Sequence, residues 1–238
     1  MDVSFLLPTN RSRSHPEVIS ESIESINSLH VDLSYEILVY SEDSVQGENV
    51  TWVEEHGRTG PLAGFNYMAS EVAKGDYLVC ITDDHAFTTP ISLCIDFVES
   101  LDVFKDRSYK IIGLNPSGDY VLQGGNTIPQ RGDILGDKPI DFDVPRASTL
   151  RFPVVRRDTL KEKLSNHIFH PDLFYHAGDI WLGYFLFCEG EQAFEGPSGI
   201  RQIAPLKDPS YEGSDCNTVR ALIKNHVDGC KSYLPREY

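Results

Sequence analysis

Three consecutive residues, Asp83-Asp84-His85, follow closely on an unbroken apolar run, Tyr77-Leu78-Val79-Cys80-Ile81. Such a run reads as a buried strand, and here its carboxyl end carries two adjacent carboxylates and an imidazole. Adjacent carboxylates raise each other's cost of ionisation unless a cation relieves it. Hard divalent cations take oxygen ligands alongside substrate phosphates, so the chemistry these residues point to is a metal-bound phosphate ester. A plainer reading fits the same residues, with Asp83 capping the following segment and Asp84 solvated. The run alone does not choose between them. A further carboxylate, Asp179, opens the apolar stretch Ile180-Trp181-Leu182-Gly183-Tyr184-Phe185-Leu186. That stretch reads as a buried helix, whose dipole favours an acid in its first turn, either as a cap or as a working group.

The elements that must position these residues are legible in the pattern. Val3 to Leu7 is a short apolar strand broken by Pro8, and Ser14 with Glu17 has the form of a capping box opening a helix with Ile19, Ile23 and Ile26 on one face. Glu36 to Tyr40 and Val50 to Val53 read as strands, each ending in polar residues. Leu62, Phe65, Ala69 and Val72 recur at helical spacing before Lys74-Gly75 closes the segment. This β-α-β-β-α-β order predicts a largely parallel sheet. Right-handed connections then bring the strand ends carrying Pro8-Thr9-Asn10-Arg11, Glu42 and Asp83-Asp84 to one crevice. Beyond a helix over 91–101, strands are expected at 109–114, 120–123 and 149–155. A glycine-marked loop lies between the last two, and a short helix passes through Leu160 and Leu164. Trp52 and Trp181 read as core aromatics, and His167, His170 and His176 as loop histidines.

Composition sets the frame. The 238 residues carry 36 acidic against 21 basic side chains, a formal net charge of −15, which argues against a nucleic-acid or anionic-membrane surface. Any phosphate is therefore expected to be held locally, by backbone amides, one or two arginines and a metal. The five cysteines are widely spaced with no C-x-x-C pair, a pattern that fits free thiols in a reducing compartment. No signal peptide or membrane-spanning run is legible, so a single cytoplasmic domain is the expectation.

The same residues resemble the GT-A fold, nucleotide-sugar-dependent glycosyltransferases of the inverting family 2, over most of the chain. Leu7-Pro8-Thr9-Asn10-Arg11 resembles the family's I-P-T-x-N-R segment, and Glu36 to Ser44 resembles E-I-I-V-V-D-D-G-S, with Ser41 and Asp43 in place of its first Asp and its Gly. Gly60 to Asn66 and Gly75-Asp76-Tyr77 resemble the G-x-x-x-A-x-N and G-D-Y-I segments, and Thr82 to His85 the D-x-D metal motif with His85 in its last position. Phe152 to Leu160 and Gly178-Asp179-x-x-Leu182 resemble R-R-x-x-L and E-D-x-D-L, with Gly178 and Trp181 replacing acids.

The resemblance implies a mixed, mainly parallel α/β sheet flanked by helices. It divides the chain into a nucleotide- and metal-binding half, 1–106, and an acceptor-binding half, 107–238. It places Pro8, Thr9, Asn10, Arg11, Glu42, Arg58 and Asp83 on the nucleotide, Asp84 and His85 on a divalent cation (Mn²⁺ or Mg²⁺), and Asp179 as catalytic base. The donor would be a UDP- or GDP-linked sugar and the acceptor a glycan, a lipid-linked glycan or a protein. Two other classes stay open: a nucleotidyltransferase of related fold, for which Gly60-Pro61-Leu62-Ala63-Gly64 speaks but the N-terminal loop does not, and a catalytically silent nucleotide- or glycan-binding domain.

Overall fold

A computed structural model describes residues 1–30, 32–57, 59–104, 110–115, 134–135, 138–139, 150, 152–174, 178–189, 195–203, 218, 221–222 and 225. The chain opens with β1 (Val3–Pro8) and α1 (Pro16–Leu29). The expected capping box does not form: α1 starts at Pro16, after His15, with no side-chain cap. Proline at the first helical position has its φ already set and gives up only an N–H that has no intrahelical partner, so it opens the helix itself. Next come β2 (Tyr35–Ser41), β3 (Val50–Glu54) and α2 (Pro61–Tyr67). The helix runs on through one wider turn, Met68–Val72, closed by the Ala73 N–H on the Met68 carbonyl.

After β4 (Tyr77–Cys80) the chain makes β5 (His85–Phe87) and α3 (Ser92–Phe104), then β6 (Ile111–Asn115). A small hairpin, β7 (Ile134–Leu135) with β8 (Lys138–Pro139), precedes β9 (Pro153–Arg156), α4 (Arg157–Glu162), α5 (Gly178–Cys188) and β10 (Glu195–Gln202). The strand expected at 120–123 lies outside the described residues, as does most of the glycine-marked loop. Neither β5 nor β10 was legible in the sequence. β5 has only three residues, and β10 carries Gly196, Pro197 and Gly199, which read as a turn; its register shifts between Gly196 and Gly199 where it pairs with β6.

Eight of the ten described strands form one sheet in the order β3-β2-β1-β4-β9-β6-β10-β5. All but β9 and β5 run in the same direction. The parallel set β3-β2-β1-β4 follows from the first-half pattern, and β9 enters antiparallel between β4 and β6. Period-two alternation sends β1 side chains to both faces. Leu6 joins Leu38 and Leu78 in a layer closed by Leu62 and Phe65 of α2, Leu160 of α4 and Leu182 and Leu186 of α5. Phe5 and Leu7 join Ile37, Val39 and Val79 in a second layer, closed by Ile19, Ile23 and Ile26 of α1 and by Cys94 and Val98 of α3.

At the amino ends of the parallel strands, a buried polar node replaces apolar packing. Ser4 Oγ donates to Glu36 Oε1 at 2.7 Å and accepts from the Gly75 N–H at 2.7 Å, while the Lys74 N–H donates to Glu36 Oε1 at 2.7 Å. A Cβ at Gly75 would collide with the backbone of Val3 and Ser4, so only glycine brings the chain close enough to enter β4 there. Trp181 is buried in the core as expected, but Trp52, on edge strand β3, is 37% exposed with its indole N–H on the Ser41 carbonyl. Cys80 and Cys94 are buried in opposite layers. Among the described residues, no helix is long and apolar enough to cross a membrane.

Candidate active site

Strands β2, β1 and β4 are adjacent and parallel, so their carboxyl ends share one rim of the sheet. The loop leaving β1 is tied to both neighbours there. The Thr9 N–H donates to the Tyr40 carbonyl of β2 at 2.9 Å, while Thr9 Oγ1 donates to Asp83 Oδ2, beyond β4, at 2.5 Å. Arg11 Nη1 meets Asp83 Oδ1 at 2.5 Å, and the Arg11 N–H donates back to Thr9 Oγ1 at 3.0 Å. Two residues on, Arg13 binds Asp43 in the turn after β2. The segment 9–13 is thus stapled across the rim by one arginine on each side.

Asp83 is buried with both oxygens engaged. Burial pushes its carboxyl above the ordinary carboxylate value, against the opposing pull of Thr9 and of the Arg11 charge. Asp84 behaves in the opposite way. Burial again works against its ionisation, but His85, Thr82 and Gln202 together outweigh that and hold its carboxyl at about 2. Thr82 Oγ1 and His85 Nδ1 each lie 2.8 Å from Asp84 Oδ1, and Gln202 Nε2 lies 3.3 Å from Oδ2. The Ile203 N–H, just past β10, donates to the Asp84 carbonyl at 2.7 Å. Adjacent carboxylates therefore differ in character: Asp83 is locked to the β1 loop, and Asp84 is an ionised group at the site.

This donor set fits a divalent cation of the kind that completes its shell with phosphate and water. Among the described residues, Asp84 Oδ2 takes a single hydrogen bond, from Gln202, which leaves a lone pair. His85 Nδ1 lies 2.8 Å from Asp84 Oδ1, so a cation held by both residues would take the place of the proton between them. Among the described residues, no three His, Cys, Asp or Glu side chains gather into a complete cage. One or two protein ligands plus substrate oxygens is the usual way that Mg²⁺ is held. The His85 ring packs 4.6 Å from that of Phe152, which adopts φ 46°, a left-handed conformation uncommon for a bulky residue.

The remaining expected residues are placed as follows. Pro8 ends β1 opposite Tyr40, Asn10 is exposed in the loop beyond it, and Glu42 is exposed in the turn after β2. Arg58 lies outside the described residues. Asp179 is half-buried in the first turn of α5, on the α2/α4/α5 side of the sheet, and its carbonyl accepts from the Leu150 N–H at 3.1 Å. Gly178, where the resembling motif has Glu, is explained by packing: a Cβ there would lie 2.5 Å from Cδ1 of Phe169. The phenyl ring fills the space that a side chain would need. Of the loop histidines, His170 packs edge-on to Trp181, with ring centroids 4.9 Å apart. Sequence reasoning did not find Gln202, Thr82, Phe152 or Asn66. Thr82, Asn66 and Phe152 sit inside the segments quoted for the resemblance; Gln202 reaches Asp84 from 118 positions away on a strand that itself was not foreseen.

No protein-family model and no curated protein matches the sequence. Solved structures do match the fold. S. aureus TarS 1–349 in complex with UDP is 16% identical over 95% of this chain and 65% of that one, with a TM-score of 0.56. GalNAc-T7 with UDP, GalNAc and Mn²⁺ is 14% identical over 98% and 50%, with a TM-score of 0.61. The mannosyltransferase PcManGT from Pyrobaculum calidifontis, in complex with GDP-Man and Mn²⁺, is 14% identical over 98% and 76%, with a TM-score of 0.54. The protein has the GT-A fold that these glycosyltransferases share, and it spans 65% of the TarS 1–349 chain and half of the GalNAc-T7 chain.

Proposed function

We propose that the protein is a glycosyltransferase that moves a sugar from a nucleoside-diphosphate donor to an acceptor hydroxyl in a single, inverting displacement. The observation that carries this reading is the convergence of Thr9, Arg11, Asp83, Asp84 and His85 on one rim of a GT-A sheet. Solved proteins of that fold hold UDP, UDP-GlcNAc or GDP-Man. The 1–106 half supplies the nucleotide side: Pro8, Thr9, Asn10 and Arg11 line the donor, Glu42 reaches its base or ribose, Arg58 its base or a phosphate, and Asp83 its ribose or the metal shell. The 107–238 half supplies the acceptor side, with Asp179.

Asp84 and His85 would hold the divalent cation, which neutralises charge on a departing diphosphate. Asp179 accepts the proton of the acceptor hydroxyl as that oxygen forms its bond to the anomeric carbon. The bond from that carbon to the phosphate oxygen breaks on the opposite face, and its electron pair leaves on the diphosphate. The donor sugar and the acceptor, whether glycan, lipid-linked or protein, are chosen by the second half.

Two substitutions test the division of labour. Asp84→Asn is expected to abolish Mn²⁺-dependent binding of UDP and GDP. Asp179→Asn should leave that binding within about twofold and lower transfer by about 10²- to 10⁴-fold, the usual contribution of a general base. Equal loss of nucleotide binding in both variants would contradict the assignment.

A further inference from the structure

The rim that carries the Asp83–Asp84 cluster and the helix that carries Asp179 are built from different halves of the chain, and among the described residues a buried amide ties α2 to the loop that precedes that helix. Asn66, on α2, is 7% exposed and makes a closed pair of hydrogen bonds to the backbone of Phe169, 103 positions away. Its Nδ2 donates to the Phe169 carbonyl at 2.9 Å, and its Oδ1 accepts from the Phe169 N–H at 3.0 Å. The same helix grips the 165–174 loop twice more: the Leu62 N–H donates to the Phe174 carbonyl at 3.0 Å, and the rings of Phe65 and Phe169 lie 5.7 Å apart. Phe169 in turn is pressed on Gly178, the residue before Asp179, so closely that even a methyl group there would meet its ring at 2.5 Å. Leu62 closes the other side of the same glycine, at 3.0 Å from that Cβ position.

We infer that Asn66 is a positioning residue for Asp179, acting through the Phe169 backbone and the Phe169–Gly178 contact to set where α5 begins. The inference rests on the proposed role of Asp179 as base. A carboxamide is the side chain that can satisfy the N–H and the carbonyl of one residue together, and both bonds are sheltered from water, where an unsatisfied partner is costly. The contact fixes the loop in one register, and the ring then fixes the first turn of α5. Small displacements of a reacting group are expensive: about 1 Å can cost on the order of 100-fold in rate. Gly178 therefore has a reason to lack a side chain that is independent of any contact with substrate.

The test uses three variants that break the chain of contacts at different points: Asn66→Ala, Phe169→Leu and Gly178→Ala. Hydrogen exchange reads the coupling without substrate. The amides of residues 178–182 should exchange about tenfold faster in each variant, with β1 and β4 unchanged. Unchanged exchange at 178–182 overturns the proposal. Release of nucleoside diphosphate from UDP-GlcNAc or GDP-mannose with Mn²⁺ reads the consequence. There kcat should fall by about 10- to 100-fold while the Kd for UDP or GDP stays within about twofold. Asn66→Asp, which keeps the acceptor but sets a carboxylate oxygen against the Phe169 carbonyl, should be no milder than Asn66→Ala. A matching loss of nucleotide affinity would reduce Asn66 to a fold-maintaining residue and overturn the proposal. Asp179→Asn separates the two ideas: turnover like the parent's overturns the base assignment, whereas a slow Asp179→Asn beside a parent-like Asn66→Ala overturns positioning alone.

Discussion

Arg11 and Asp83 are 72 positions apart in the chain and 2.5 Å apart in the fold, with side-chain exposures of 16% and 6%. A pair this sheltered is worth little against water but is expensive to break on one side, because the surviving charge stays desolvated. Arg11→Met is therefore expected to lower stability by about 2 kcal/mol. Asp83→Asn on that background should recover part of the loss, since an amide needs no counter-charge. A double-mutant cycle in denaturant checks this, with a coupling of about 1–3 kcal/mol expected and strict additivity as the contrary result. The meeting of Thr9, Arg11 and Asp83 was foreseeable from strand order, because parallel neighbours put their carboxyl ends side by side. The hold on Asp84 was not. Thr82 and His85 are local to it, but Gln202 belongs to a strand whose glycines and proline read as a turn, and no periodicity announces a hydrogen bond across 118 positions.

At the scale of elements, α1 is tied to its surroundings by a histidine that no motif singles out. His30 follows the last residue of α1 and is 1% exposed; its Nδ1 lies 2.7 Å from the Ile26 carbonyl, and its Nε2 accepts from the Ile91 N–H at 3.0 Å. Its ring centroid sits 4.9 Å from those of Phe5 in β1 and Phe87 in β5. These bonds fix one tautomer, with the proton on Nδ1, and a second proton on Nε2 would face the Ile91 N–H. Burial lowers the pKa of His30 below the ordinary 6.5, only partly offset by the Ile26 carbonyl. The unfolded chain then binds more protons than the folded one below 6.5, so this stabilisation is complete above that value and is lost as pH falls through the window beneath it. Urea unfolding from pH 7.5 to 5 should show a decline no steeper than about 1.4 kcal/mol per pH unit from this single group, and His30→Gln should flatten it. An unchanged slope in His30→Gln would contradict the assignment. Elements that are continuous apolar runs, such as β1, β2, β4 and α5, were legible from side-chain pattern alone. The start of α1 was misread because Ser14 and Glu17 match a capping box while Pro16 lies between them and sets the first turn itself. The three-residue β5 is too short to carry a period at all.

The whole molecule is a parallel sheet extended by strands from the second half of the sequence, so the halves are covalently sequential but structurally interleaved. β9, β6 and β10 continue the sheet directly from β4, and β10 returns to Asp84 through Gln202. The fold class was readable because the first half states a β-α-β-β-α-β order without interruption. The second half was less readable because its strands are split by long connections and the longest of them, β10, carries glycines and a proline that read as a turn. The net charge of −15 extends to the rim, where Arg11 and Arg13 are set among Glu42, Asp43, Asp83 and Asp84. An anionic ligand approaching this surface needs a cation to accompany it. The central claim, a nucleoside-diphosphate site completed by metal at Asp84, is tested most directly by calorimetric titration of UDP and of GDP into the protein, each with Mn²⁺ and with EDTA. The account predicts binding of one nucleotide with Mn²⁺, at least about tenfold weaker in EDTA and lost in Asp84→Asn. Folded protein that takes up neither nucleotide under any of these conditions would contradict it.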